Sequence, residues 1–291
     1  MANLINSNEK PLSHLRVAFT AIDLEQAEHR GIAYLSKGLI NSLCDLGAEV
    51  YLLTGFYGRR LSPLMKVFMS SKSVKEVDCA DILDQFCDPE NRQKKLKKNK
   101  SINADENLII KFTSKLMKLQ SRFKIAVQVI ISIARFYILG GQFSGRLIDL
   151  SNFENSPYFG QERVDYLSKI AGFLSIRDIY IYSTLRSKRI LLKSPSIDLK
   201  KLKIDLLITS CPLSINVISN TKERVSCIQL IMDFIPLSFS KHPDHPFDFY
   251  NRLKDSMRTK NCFISKSSRD KIYSLLERSY RHDDKNIVYP M

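Results

Sequence analysis

With 291 residues, 44% of them apolar and 26% charged, the chain can bury a large core and has the make-up of a globular protein, which excludes a disordered or fibrous polypeptide. Its six cysteines show no C-x-x-C and no paired spacing, which argues against a disulfide scaffold and for reduced thiols in a cytoplasmic protein. The net charge of +15 is local: eleven Lys or Arg face only Asp105 and Glu106 between Arg92 and Lys124, and seven face only Asp198 between Arg186 and Lys203, so the remainder is formally neutral.

The opening residues, Met1 to Pro11, are polar and lack the apolar centre of a secretory signal. Leu15 to Thr20 is a short apolar run that predicts a buried parallel strand. After Gly31, the apolar positions Ile32, Leu35, Leu39, Ile40, Leu43 and Leu46 follow helical spacing, and Gly47 supplies a stop. Ala48 to Thr54 predicts a second strand, completing a βαβ unit with a right-handed crossover.

Residues 59–200 break that rhythm and predict a basic, mainly helical insertion. Arg92 to Lys100 is a charge run with the make-up of a loop. Ile109, Phe112, Leu116, Leu119, Phe123, Ala126, Ile130, Ile133 and Tyr137 then form an apolar stripe at steps of three and four, with Lys111, Lys115, Lys118 and Arg122 beside it. The longest apolar run, from Ile125 to Ala134, already contains Gln128 and is closed by Arg135, too short for a membrane span. A helix is expected over roughly Gln161 to Ser175, and Asp178 to Ser183 fits a strand or a helix. Strands resume at Ile204 to Ser210, Val225 to Met232, Asn261 to Ser265 and Asn286 to Tyr289. The fold class is therefore α/β: a Rossmann-like, mostly parallel sheet flanked by helices, its core at 15–58 and 201–291.

In such a sheet, ligands gather at the carboxyl ends of the strands. Three of those ends carry candidate residues. Gly31 opens a helix, where the free N–H groups of Ile32 and the next residue favour an anion, although a plain helix start fits equally. Asp233 leaves an apolar strand into a Pro-bounded loop, where a carboxylate can accept sugar hydroxyls or cap a turn. Ser265 ends a strand, and Ser267 or Ser268 reads first as the cap of the next helix, with Arg269 and Asp270 in its first turn. Gly140-Gly-Gln-Phe-Ser-Gly145 lacks the Lys-Ser/Thr of a phosphate-binding P-loop and reads as a helix stop and loop. His242-Pro-Asp-His245 has no third ligand nearby, so no metal is expected.

Taken in order, Arg30-Gly31-Ile32-Ala33-Tyr34, Asp233-Phe-Ile-Pro-Leu237 and Ser265-x-x-Ser268-Arg269-Asp270 resemble the N-terminal, acceptor-side domain of family 4 type glycosyltransferases of the GT-B fold. The resemblance covers Leu15 to Thr54 and Ile204 to Met291. It implies an acceptor-binding half of a nucleotide-sugar-dependent glycosyltransferase, with Asp233 as the catalytic candidate. Arg30, Gly31, Ile32, Tyr34, Met232, Ser265 and Arg269 would be substrate-binding. Two positions depart from the family pattern: Arg30 stands where a second Gly is usual, and Met232 where a His often precedes the Asp.

The family's donor-binding domain has no counterpart in the sequence. The resemblance therefore implies a chain inactive alone and a donor-binding domain or chain as partner, with negligible binding of nucleotide-sugars by the isolated chain. The acceptor would be a glycan or a lipid-linked sugar; the nucleotide-sugar is a co-substrate, and no cofactor is expected. The basic amphipathic stripe suits a helix lying on an anionic membrane, which would place the protein peripherally at the inner membrane face. It equally suits a helix packed on its own core with solvated lysines, the commoner use. No nucleic-acid-binding signature accompanies the charge, so nucleic acid is not an expected partner. A non-catalytic glycan- or membrane-surface-binding module with the same fold is the alternative.

Overall fold

A computed structural model describes residues 10–25, 31–55, 82, 86, 126–127, 129–150, 162–219, 226–232, 245–276 and 287–288. The expected βαβ unit is present as β1 (Arg16–Thr20), α1 (Gly31–Asp45) and β2 (Glu49–Thr54), with β1 and β2 parallel. Both strands are apolar along nearly their whole length because both sheet faces are covered. Alternate residues enter opposite layers: Val17, Phe19, Val50 and Leu52 pack on the α1 side, while Ala18, Tyr51 and Leu53 pack on the other.

Beyond β2, residues 129–138 are helical (α2). The remaining elements follow as β3 (Gln142–Phe143), β4 (Arg146–Asp149), a 3₁₀ segment (Glu162–Ser168), β5 (Gly172–Ser175), α3 (Ile179–Ser187), β6 (Ser196–Asp198) and α4 (Leu199–Leu202). Then come β7 (Leu206–Thr209), β8 (Asn216–Ile218), β9 (Cys227–Ile231), α5 (Pro246–Ser256), β10 (Lys260–Phe263), α6 (Lys266–Leu275) and β11 (Ile287–Val288). The main sheet has eight strands in the order β11-β10-β9-β7-β1-β2-β5-β4. All neighbours are parallel except β4 and β5. This is the Rossmann-like α/β class expected from the sequence. A smaller parallel sheet, β3-β6-β8, lies apart.

More than half of the span 59–200 lies outside the described residues, and its described part mixes helix and strand. The main sheet takes in 146–149 and 172–175 from this span as β4 and β5. The helix expected over Gln161 to Ser175 divides into the 3₁₀ segment and β5, with Val164 at φ −126° and ψ 18° interrupting the helical backbone. Buried Val164, Leu167, Ile170 and Leu174 recur at steps of three and four, which imitates a helix; the strand is set instead by close approach. At Gly172 a Cβ would stand 2.0 Å from the Ile148 carbonyl oxygen, so only glycine lets β4 and β5 pair here. Asp178 to Ser183 resolves as helix, α3.

Helices α3 and α5 cover the face opposite α1 and are tied by a buried polar cluster. Arg189 Nη1 lies 3.3 Å from the Asp255 carboxylate and Arg189 Nη2 donates to Asn251 at 2.8 Å, while Asn251 Nδ2 donates to the Ser187 carbonyl at 2.7 Å. Arg186 approaches Asp255 at 3.7 Å, and Lys188 approaches Asp248 at 3.9 Å. Three of the seven cations in the second basic patch are thus matched by carboxylates of α5, and their charge holds two helices together. The first patch lies outside the described residues.

Candidate functional site

The chain runs outward from β1 through β2 to β5, returns to β7 on the other side of β1, and then runs outward again through β9 to β11. The reversal between β1 and β7 is a topological switch point, where the loops leaving two adjacent strands part and open a crevice. Four neighbouring strands end here in hydroxyls: Thr209, Thr20, Thr54 and Ser175, all fully buried.

The loop after β1 brings two carboxylates into this edge. Ser210 Oγ donates to Asp23 Oδ2. Since its single proton is used there, the 3.2 Å contact between Thr20 Oγ1 and Ser210 Oγ has Thr20 as donor, while Thr20 accepts from the Ser210 N–H at 2.9 Å. One strand over, Glu25 Oε1 accepts from Thr54 Oγ1 at 2.6 Å and from the Gly55 N–H at 3.3 Å. Tyr180, in the first turn of α3, spans the two: its hydroxyl donates to the Leu53 carbonyl and accepts from the Ala21 N–H at 3.2 Å.

These surroundings bias protonation. Burial pushes the Asp23 carboxyl above the ordinary carboxylate range, and the hydrogen bond from Ser210 only partly offsets it. Burial, followed by the nearby Glu25 charge, raises the Tyr180 phenol well above its usual value. Tyr180 therefore stays a neutral hydroxyl at physiological pH. The arrangement offers fixed acceptors beside a crevice, suited to a ligand rich in hydroxyl groups.

The residues expected from the sequence meet the same edge unevenly. Gly31 begins α1 and is exposed, with open space around it; Ile32 is half-buried. Tyr34 is 65% exposed, with Lys37 Nζ over its ring at 5.4 Å from the centre. Met232 lines an apolar groove beside α1 with Leu35, Leu39, Ile228 and Leu230, so its thioether meets hydrocarbon rather than the polar cluster. Ser265 caps α6, its Oγ accepting from the Ser268 N–H at 3.1 Å, and Arg269 pairs with its neighbour Asp270 at 2.9 Å. The cap thus falls at Ser265 rather than at Ser267 or Ser268, which lie within the first turn of α6. Asp233 and Arg30 lie outside the described residues.

Asp23, Glu25, Tyr180 and Ser210 escaped the sequence reading as site residues. The signal that could have found them is the recurrence of Thr or Ser as the last residue of successive apolar strands. His245, weighed as half of a metal pair, instead caps α5, its Nδ1 accepting from the Phe247 N–H at 3.3 Å. Among the described residues no group of three or more His, Cys, Asp or Glu is placed to hold a metal, and no helix is long and apolar enough to cross a membrane.

A second polar region occupies the same edge further along, over β5 and β4. Residues 142–145, together with Arg135, Arg146 and Arg177, line a cleft of about 230 Å³. Compared with known proteins, the chain matches no family model, no curated protein and no solved structure.

Proposed function

We propose that the chain is the acceptor-binding half of a nucleotide-sugar-dependent glycosyltransferase. The observation that carries this reading is the hydrogen-bonded group of Thr20, Asp23 and Ser210 at the carboxyl ends of the adjacent strands β1 and β7, where the topology switches. Carboxylate and hydroxyl oxygens held by internal hydrogen bonds are pre-set acceptors and donors for a sugar, and an exposed ring such as Tyr34 can stack on a pyranose face. The acceptor would be a glycan or a lipid-linked sugar. A donor-binding domain or chain facing this edge would hold the nucleotide-sugar and stabilise its departing diphosphate.

A non-catalytic surface-binding module is favoured by one observation. On α2, Ile130, Ile131 and Ile138 point outward, the last 83% exposed, while Ser132 and Phe136 point in. Part of the apolar stripe read from the sequence is thus exposed, as a peripheral membrane contact requires.

Saturation-transfer NMR on the full chain, with free oligosaccharides and short-chain lipid-linked sugars, tests the proposal. Transfer to sugar protons is expected, lost in Asp23→Ala and weakened in Tyr34→Ala, the exposed variant that leaves the core untouched. Absence of transfer to any sugar, or transfer indifferent to both substitutions, overturns it.

A further inference from the structure

The strands on the two sides of β1 are covered by helices on different faces of the sheet. From β1 to β2 the chain moves one way, and α1 packs on one face. From β7 to β11 it moves the other way, and right-handed crossovers put α5 and α6 on the opposite face, where they enclose Ile231, Leu253, Phe263 and Ile272. Among the described helices, α1 alone borders the first face over β7, β9 and β10, and a groove of about 320 Å³ runs between helix and strands. Leu35, Leu39 and Leu43, at steps of four on α1, form its wall. Its floor is Ile208, Ile228, Leu230 and Cys262, set side by side by the register, in which Ile208 pairs with Ile228 and Leu230 with Cys262. Of these seven, all but Leu230 are only half-buried, so the groove keeps apolar surface in contact with water. Burial raises the Cys262 thiol above its usual pKa, so it stays neutral and adds no charge.

We infer that this groove binds a single hydrocarbon chain, the tail of a lipid. Its lining side chains are all apolar, a neutral thiol included, so the part of a ligand inside it meets only apolar contact and must itself be hydrocarbon. The volume stands at the low end of the ~300–1,000 Å³ typical of small-molecule pockets. Ten residues line the groove, against about 20–30 a side in a standard protein interface, so a slender chain fits it and a second copy or a partner domain does not. The groove also has a direction. Met232 and Ile264 follow directly on β9 and β10, at the carboxyl edge of the sheet that also carries Asp23 and Ser210, whereas Leu43 lies towards the far end of α1. A chain lying along α1 therefore leaves its polar head at that carboxyl edge. The groove stands on its own lining, whether or not the crevice on the same edge handles sugars.

Isothermal calorimetry of the full chain with straight-chain hexanol, octanol and decanol, which carry neither charge nor sugar, tests the inference. Affinity is expected to rise about fourfold with each methylene added, as burial of hydrocarbon requires. Leu35→Trp, which puts an indole into the groove from its half-buried wall, should weaken decanol binding roughly tenfold or more. Circular dichroism and thermal melting confirm that this variant is folded. Cys262 supplies a second readout that needs no substitution. Decanol should slow its alkylation by N-ethylmaleimide, followed by mass spectrometry, and leave Cys44, outside the groove, reacting as before. The inference fails if no alcohol binds, if affinity is indifferent to chain length, or if decanol leaves Cys262 alkylation unchanged. It fails equally if folded Leu35→Trp binds like the parent, or if sedimentation shows a dimer that Leu35→Trp dissociates, since a second copy then occupies the groove.

Discussion

The switch-point crevice and the arginine cleft share one edge of one sheet, yet they treat charge in opposite ways. At the crevice, Asp23 and Glu25 are held by hydroxyls and amides of their own chain, and a phenol kept neutral by burial closes the network. In the cleft, Arg135, Arg146 and Arg177 converge, Asp178 lies 3.5 Å from Arg177, and Arg135 Nη1 has no acceptor among the described residues. The first arrangement is complete without a ligand and suits a neutral, hydroxyl-rich one. The second leaves a buried donor open. Helix α3 joins them, since Asp178 at its start belongs to the cleft and Tyr180, two residues later, belongs to the crevice.

Because α3 serves both regions, loosening its anchor should damage both. Asp255→Ala leaves Arg186 and Arg189 without their buried carboxylate, and a loss of about 3 kcal/mol is expected in urea denaturation. Unchanged stability would show that α3 is held by something else. Gly172→Ala should separate the two regions: its Cβ would meet the Ile148 carbonyl at 2.0 Å and push β4 away, carrying Arg146 with it. A cost of about 2 kcal/mol is expected in urea denaturation, with the arginine cleft disturbed and sugar binding retained. Equal damage to both would break the contrast.

Tyr180→Phe removes the hydroxyl bonded to Leu53 and Ala21, leaving two backbone groups without that partner. A loss of about 1 kcal/mol in thermal or chemical denaturation is expected, with the arginine cleft unaffected.

The smallest effect is that of Asp23→Asn, and it depends on pH. The folded state raises the Asp23 pKa, so it favours the protonated form, and the contribution of Asp23 to stability falls as pH rises from the unfolded carboxylate value through the raised folded one. Asparagine escapes that loss while still accepting from Ser210. The variant should therefore equal or slightly exceed the parent in stability near neutral pH, and the difference should vanish in acid. Matched denaturation curves at both pH values check the sign, and a variant weaker at neutral pH would place the ionised Asp23 among stabilising contacts.

The sheet was legible because strands buried on both faces, such as Val17 to Thr20 and Val50 to Thr54, read as unbroken apolar runs, and because α1 carries a clear helical spacing ended by Gly47. Strand β5 was hidden by its length and by a neighbouring spacing that mimics a helix; what makes it a strand is the absence of a side chain at Gly172, which matters only once β4 is alongside. The crevice was half legible. Strand ends drew attention to the right edge, but Asp23 and Ser210 stand 187 positions apart, and their bond depends on β1 and β7 being neighbours. The cleft was hidden in the same way, because Arg135, Arg146 and Arg177 follow no common motif.

The reversed direction of β4 has one more consequence. Among the described strands it is the outermost on its side, and its edge away from β5 pairs with no other described strand, a border on which another strand could extend the sheet. It spans only four positions and carries opposite charges at its two ends, Arg146 and Asp149. So short and charged a border discourages runaway self-assembly, which lets the protein keep a broad, strongly apolar interior without polymerising through its flank.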